Sequence, residues 1–306
     1  MNGESFAWRR KLARELTERA GATAREVLAA SISFSGAARR IGITGPPGAG
    51  KSSLIALLAK QWSEQASKVG IIAIDPTSPL SGGSLLGDRI RIDEVAANPN
   101  LFIRSLPSGS ASDGLCPNIL GLFDAFEQAR FDYVILETVG VGQVSYQAKL
   151  LVDTFVLVLV PESGDTIQAM KAGVLEMADI FVVNKADLPA SAKLASELRS
   201  IAEWRGQSHG WVPPVILTSA TKKFGATELA DAIEVHGNAV LTNERIADLA
   251  IARREYHLRS LVVRQIDEML ASRRVEIQQA TLSDSFHMLV AGINNCVSRS
   301  SGKRRV

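Results

Sequence analysis

Short runs of β-branched and aliphatic residues recur through the middle of the chain and stop on polar ones: Ile41 to Thr44, Val69 to Asp75, Leu101 to Ser105, Tyr133 to Glu137, Phe155 to Val160, Ile180 to Asn184 and Val215 to Ser219. Runs of this length and composition suit strands buried on both faces, and stretches with helical apolar spacing separate them. The pattern predicts an α/β fold, a mainly parallel sheet flanked by helices. In such sheets ligands gather outside the carboxyl ends of the strands. Thr44, Asp75, Ser105, Glu137, Asn184 and Ser219 therefore stand as candidate phosphate, metal and base contacts along one edge.

The pattern changes toward both ends. Trp8, Leu12 and Leu16 recur at helical spacing, and Val27 with Leu28 continues an apolar stripe after Gly21, which predicts two short helices packed on the sheet domain. After Ala220 the helical pattern returns, and Leu258, Leu261, Val262, Ile266, Met269 and Leu270 form one stripe. Such a face needs a partner, either its own domain or a second copy of the chain. Ser298 to Val306 reads as a frayed end.

Composition narrows the class. A chain of 306 residues that is 46% hydrophobic can bury one large core and still carry helical extensions, and a net charge of +2 creates no demand for a nucleic-acid partner. The two cysteines form no Cys-x-x-Cys pair, which suggests neither a disulfide framework nor a thiolate metal site and fits a reducing cytoplasm. No apolar run approaches the roughly twenty residues that cross a bilayer, so no membrane span is expected. Residues 5 to 40 are rich in Ala and Arg, but Glu4, Glu15, Glu18 and Glu26 favour a helical arm over an organelle transit peptide.

The strongest chemical signal is Gly45, Pro46, Pro47, Gly48, Ala49, Gly50, Lys51, Ser52 and Ser53, a phosphate loop of glycine, four residues, glycine, lysine and serine. Backbone N–H groups can wrap a phosphate closely only where glycine removes the Cβ and permits positive φ. Lys51 would bring its ammonium to the β- and γ-phosphates, and the Ser52 hydroxyl would hold a bridging Mg²⁺. The strand-like run before the loop and the helix expected over Ser53 to Gln61 supply the context, with the helix N-terminus aimed at the anion.

A second motif selects the base. Asn184, Lys185, Ala186 and Asp187 follow the apolar run Ile180 to Val183. Guanine offers two adjacent donors, N1–H and the exocyclic amine, and a carboxylate at Asp187 can accept from both; adenine offers no such pair. Lys185 could cover the base with its alkyl stem, Asn184 could tie this loop to the phosphate loop, and Thr218, Ser219 and Ala220 would add donors to the guanine O6. Glu137, with Thr138, Val139 and Gly140 after it, closes its strand as a metal-coupled carboxylate and a γ-phosphate-sensing glycine would. Glu137 could contact Mg²⁺ directly, through water, or polarise the attacking water. Lys51 and Glu137 are the candidate catalytic residues, and Asp75 and Asp88 could also reach the metal, ordinary loop capping being the alternative for both.

These residues carry a resemblance. The blocks Ile41 to Ser53, Asp75 to Arg91, Glu137 to Gln143, Asp165 to Gly173 and Asn184 to Pro189 resemble the GTPases associated with methylmalonyl-CoA mutase, the MeaB/ArgK-like family. The resemblance implies a P-loop GTPase domain over 39–235, an N-terminal helical arm over 1–38 and a C-terminal helical arm over 236–306 available for dimerisation. It implies a homodimeric GTP-hydrolysing chaperone that gates cobalamin delivery to an acyl-CoA mutase and protects it. It also implies that Ser52, Asp75, Asp88 and Glu137 surround Mg²⁺ and that Pro161 to Lys171, through Asp165, Gln168 and Lys171, signals to the mutase. The sequence departs from the family pattern at Leu106 to Ser110, where an Arg-Gly pair is common, and at Val144 and Ser145, in place of Ser-Glu. A non-hydrolysing nucleotide-dependent scaffold is an alternative, as is an ATPase or kinase coupled to amino-acid transport, which Asn184 and Asp187 contradict. A nickel-inserting relative would need a metal store, and the four histidines, His209, His236, His257 and His287, are scattered.

Overall fold

The computed structural model describes residues 3–29, 38–75, 98–108, 115–116, 118–138, 143–161 and 173–301. Among them the chain runs α1 (Gly3–Gly21), α2 (Ala24–Ala29), β1 (Arg39–Thr44), α3 (Lys51–Glu64), β2 (Val69–Asp75), β3 (Leu101–Pro107), α4 (Ile119–Gln128), β4 (Tyr133–Glu137), α5 (Gln143–Leu151), β5 (Thr154–Leu159), α6 (Val174–Met177), β6 (Ile180–Val183), α7 (Ser191–His209), β7 (Val215–Leu217), α8 (Ala226–Val240), α9 (Asn243–Ser272), α10 (Arg274–Gln279) and α11 (Leu282–Ser301). The strands form one seven-stranded sheet in the order β3-β2-β4-β1-β5-β6-β7, and every strand pair is parallel. β1 lies between β4 and β5, so successive connections leave toward opposite edges around it. In open parallel sheets ligands bind at such a reversal, outside the carboxyl ends of the strands.

Period-two alternation explains why the strands read as unbroken apolar runs. Ile72, Val134, Leu136, Phe155, Leu157, Phe181 and Val183 face one core, with α1, α4, α5 and α7 against it. Ile41, Ile43, Ile71, Ile135, Val156, Val158 and Val182 face the other, covered by α3 and α8. Ser105 is not the end of its strand: β3 continues to Pro107 because it stays paired with β2 through Asp75, and Ser105 sits level with Ala73.

The arms are tied on by charge. The N-terminal pattern forms one 19-residue helix, α1, and a single turn and a half, α2. Leu12 and Leu16 enter the first core, Trp8 packs against Phe102 and Phe131, and Arg19 bonds Asp124 of α4 at 2.5 Å. Thr23 and Glu26 form a capping box ahead of α2. At the amino end of the sheet Arg40 is fully buried, paired with Glu127 at 2.7 Å and lying over the Phe123 ring. Asp153 accepts from the Arg40 N–H and from Arg253 of α9, joining the C-terminal arm to β1. Paired charges of this kind carry a desolvation cost that only complete pairing offsets.

Residues 235 and 236, the expected division between the nucleotide domain and the C-terminal arm, lie within α8, which is continuous to Val240 and packs on α3, β5 and β6. On α9 the buried face runs through Leu249, Arg253, Tyr256, Leu261 and Met269. Leu258, Val262 and Leu270 of the anticipated stripe face outward, at 49%, 51% and 39% exposure.

Candidate functional site

The loop between β1 and α3 is shaped by what a side chain would strike. Gly45 has φ +151°, and a Cβ there would lie 2.1 Å from the Val158 carbonyl oxygen; Gly50 has φ +81°, and a Cβ there would lie 2.4 Å from Asn184 Nδ2. Both positions therefore require glycine on two counts. Ala49 N–H donates back to Pro46 O at 3.2 Å, Pro46 and Ala49 are buried, and Pro47 and Gly48 are exposed at the tip. Lys51, Ser52 and Ser53 form the first turn of α3, and the N–H groups and dipole at a helix N-terminus favour an anion. The Lys51 ammonium donates to Gly45 O at 2.9 Å and Pro46 O at 3.0 Å, which keeps the cation over the loop.

Ser52 Oγ donates to Glu137 Oε1 at 2.7 Å, and both residues are buried. Glu137 is the last residue of β4 and pairs with Ile43, so the ladder brings it beside the loop. A hydroxyl and a carboxylate, both hard oxygen donors one hydrogen bond apart, suit Mg²⁺, which takes its remaining ligands from water and phosphate. Among the described residues no group of three His, Cys, Asp or Glu converges on a metal site. Asp75 ends β2 two positions beyond Ala73, the residue level with Glu137, and so shares the same sheet edge. Asp88, Gly140, Asp165, Gln168 and Lys171 lie outside the described residues.

Asn184 joins the two motifs across 135 positions of sequence: its Nδ2 donates to Ala49 O at 2.7 Å. Its Oδ1 accepts from Thr218 Oγ1 at 3.1 Å and from Ala220 N–H at 3.4 Å. Lys185 adopts φ 55°, a left-handed conformation that non-glycine residues hold at a cost of order 1–3 kcal/mol, as happens at functional sites. Ser219 Oγ, buried, donates to Asp187 Oδ1 at 2.6 Å, and that bond, chiefly, draws the exposed Asp187 carboxyl below its ordinary range. An ionised, oriented acceptor results. Ala186 N–H donates to Thr218 O at 2.9 Å, holding the two loops together.

One contact at this edge has no counterpart in the motif reading. Thr138 Oγ1 donates to Thr44 Oγ1 at 3.0 Å, both side chains being buried. The signal was a threonine ending an apolar run and another following the strand carboxylate, but spacing does not report that β1 and β4 are neighbours.

The family described as Methylmalonyl Co-A mutase-associated GTPase MeaB matches residues 12–275. A Pyrococcus abyssi protein named as a GTPase is 41% identical over 245 residues, 78% of this chain and 75% of that one. A Mycobacterium tuberculosis protein, also named as a GTPase, is 40% identical over 220 residues, 70% of this chain and 65% of its own. The Mus musculus protein named methylmalonic aciduria type A homolog, mitochondrial, is 36% identical over 222 residues, 71% of this chain and 53% of that one. Among solved structures, one described as LAO/AO transport system kinase has a TM-score of 0.58 at 22% identity, covering 96% of this chain and 99% of that chain; likeness at that identity speaks to the fold alone.

Proposed function

The chain belongs to the methylmalonyl-CoA mutase-associated GTPase family and is a GTPase, and on that premise we propose that it is a GTP-dependent chaperone of a cobalamin-dependent acyl-CoA mutase, assisting cofactor loading and protecting the mutase. The mouse relative's name, which refers to methylmalonic aciduria, supports a partner of this chemistry. In this reading Gly45 to Ser53 wraps the phosphates, and Lys51 neutralises charge on the β- and γ-phosphates as the terminal bond breaks. Bound Mg²⁺ would supply further neutralisation of those phosphates. Ser52, Asp75, Asp88 and Glu137 would hold it, and Gly140 would respond to the γ-phosphate. Asn184, Lys185, Asp187, Thr218, Ser219 and Ala220 hold guanine. The observation that carries this reading is the Asp187 carboxylate, fixed by Ser219 in a loop that Asn184 ties to the phosphate loop.

The domain organisation we propose is an N-terminal arm, a nucleotide domain from β1 through α8, and a C-terminal arm that meets a second copy. Exposed Val262 and Val263 on α9 and Phe286 and Val290 on α11 support the dimer. Among the described residues no helix is long and apolar enough to cross a membrane, and the cytoplasm is the compartment proposed. The test is purification of the full chain from its native host with GTP and Mg²⁺ present, and identification of bound protein by mass. A cobalamin-dependent acyl-CoA mutase is expected; its absence from GTP-loaded and GDP-loaded samples alike would overturn the partner assignment.

A further inference from the structure

The Thr138 and Thr44 hydroxyls lie at the carboxyl end of the ladder that joins β4, which bears Glu137, to β1, which leads into the phosphate loop. Glu137 pairs with Ile43, and the ladder extends one step further through Thr138 N–H to Ile43 O at 3.1 Å. Beyond that backbone bond, a side-chain contact also joins the two strand ends, Thr138 Oγ1 to Thr44 Oγ1 at 3.0 Å, with side chains 1% and 0% exposed. Next to Thr44 is Gly45, whose carbonyl accepts from Lys51; next to Thr138 is Glu137, whose carboxylate accepts from Ser52. The hydroxyl pair therefore adds a side-chain tie to the backbone register that places the carboxylate beside the loop.

We infer that Thr138, with Thr44 as its acceptor, is a positioning residue for GTP hydrolysis, fixing Glu137 against Ser52 rather than contributing to nucleotide affinity. The inference rests on hydrolysis at this site with Glu137 acting there. A misplacement of about 1 Å can cost on the order of a hundredfold in rate, so releasing one hydrogen bond at a strand end is expected to cost about tenfold. Nucleotide affinity depends on the loop backbone, Lys51 and the base contacts, none of which touches the Thr138 hydroxyl in the described structure.

A structural role and a positioning role make opposite predictions for paired substitution. Removing one partner of a buried hydrogen bond strands the other, whereas replacing both by apolar groups of the same shape is nearly neutral for stability. Thr138→Val, Thr138→Ser and Thr44→Val/Thr138→Val are compared with the parent full chain by single-turnover GTP hydrolysis, GDP titration calorimetry, Mg²⁺ dependence and thermal unfolding. Thr138→Val is expected to hydrolyse about tenfold more slowly and to need more Mg²⁺, with GDP affinity within about threefold; Thr138→Ser retains the parent rate. The double valine variant should melt like the parent yet hydrolyse as slowly as Thr138→Val. It also carries the test if the single valine variant fails to fold. Parent-like rate in the double variant, or an equal loss of GDP affinity and rate, overturns the inference. A parent without GTP hydrolysis removes the reading beneath it as well, and is distinguished by that first measurement.

Discussion

Replacing Asn184 by alanine uncouples the two halves of the site in a calculable way. The side chain is 1% exposed and makes a 2.7 Å bond to Ala49 O, a 3.1 Å bond from Thr218 Oγ1 and a marginal 3.4 Å contact from Ala220 N–H. Two good buried bonds contribute about 0.5–1.5 kcal/mol each, and a buried group left without a partner costs about 1–3 kcal/mol. The Thr218 hydroxyl can rotate toward another acceptor, whereas the Ala49 carbonyl is fixed in the loop, so we count one stranded group and a total of about 2–6 kcal/mol. That cost divides between the fold and the nucleotide complex. Expressed wholly in affinity it is about 30- to 20,000-fold, and expressed wholly in stability it is a fall of about 4–24 °C in Tm for a domain of this size. Titration calorimetry with GDP and thermal unfolding of the same preparations measure both shares. A combined effect below about 1 kcal/mol would refute the idea that Asn184 clamps the base loop to the phosphate loop.

Asp187→Asn should weaken GTP and improve xanthosine triphosphate, whose extra carbonyl accepts from an amide, in competition binding; undiminished GTP affinity would remove Asp187 from base reading. Burial holds His236 and His257 below their ordinary value of 6.5, for His236 against the opposing Asp179 carboxylate 3.6 Å away. The unfolded chain therefore binds protons that the folded chain does not, and stability should fall as pH drops below 6.5, by at most about 1.4 kcal/mol per unit for each histidine. Denaturant unfolding at pH 7.5 and 5.5, on the parent and on a His236→Gln/His257→Gln variant, should show a smaller drop in the variant. Val262→Glu with Phe286→Glu, both at exposed positions, should convert a dimer to a monomer in light scattering without changing GDP affinity.

The strands were legible because a sheet buried on both faces writes itself as apolar runs, and Val69 to Asp75 and Tyr133 to Glu137 have the same bounds in the structure. Ser105 misled because the polar interruption lies on the edge strand β3, where Arg104 and Ser105 are only partly buried and pairing, not hydropathy, sets the end. Arg40 is fully buried with nothing in its local sequence to say so, since its partners Glu127 and Asp153 come from distant turns of the chain. The same limit hides Thr44 with Thr138: two unremarkable threonines acquire a role only through the β1–β4 register. On the arm, helical period was right, but Arg253, reaching Asp153, helps rotate the buried face away from Leu258 and Val262. Glycine spacing travels better, because the loop needs those residues wherever it sits.

The most direct test of the account is GTP hydrolysis with and without a cobalamin-dependent acyl-CoA mutase from the same host, on the parent and on an Asp165→Ala/Gln168→Ala/Lys171→Ala variant. A chaperone that reports its nucleotide state to the mutase must have different contacts with it in the GTP and GDP forms. The parent is predicted to hydrolyse faster when the mutase is added, and the triple variant to keep its GTP affinity while losing most of that stimulation. Equal stimulation of both would take those three residues out of the signalling path, and a parent indifferent to any such mutase would contradict the proposed function.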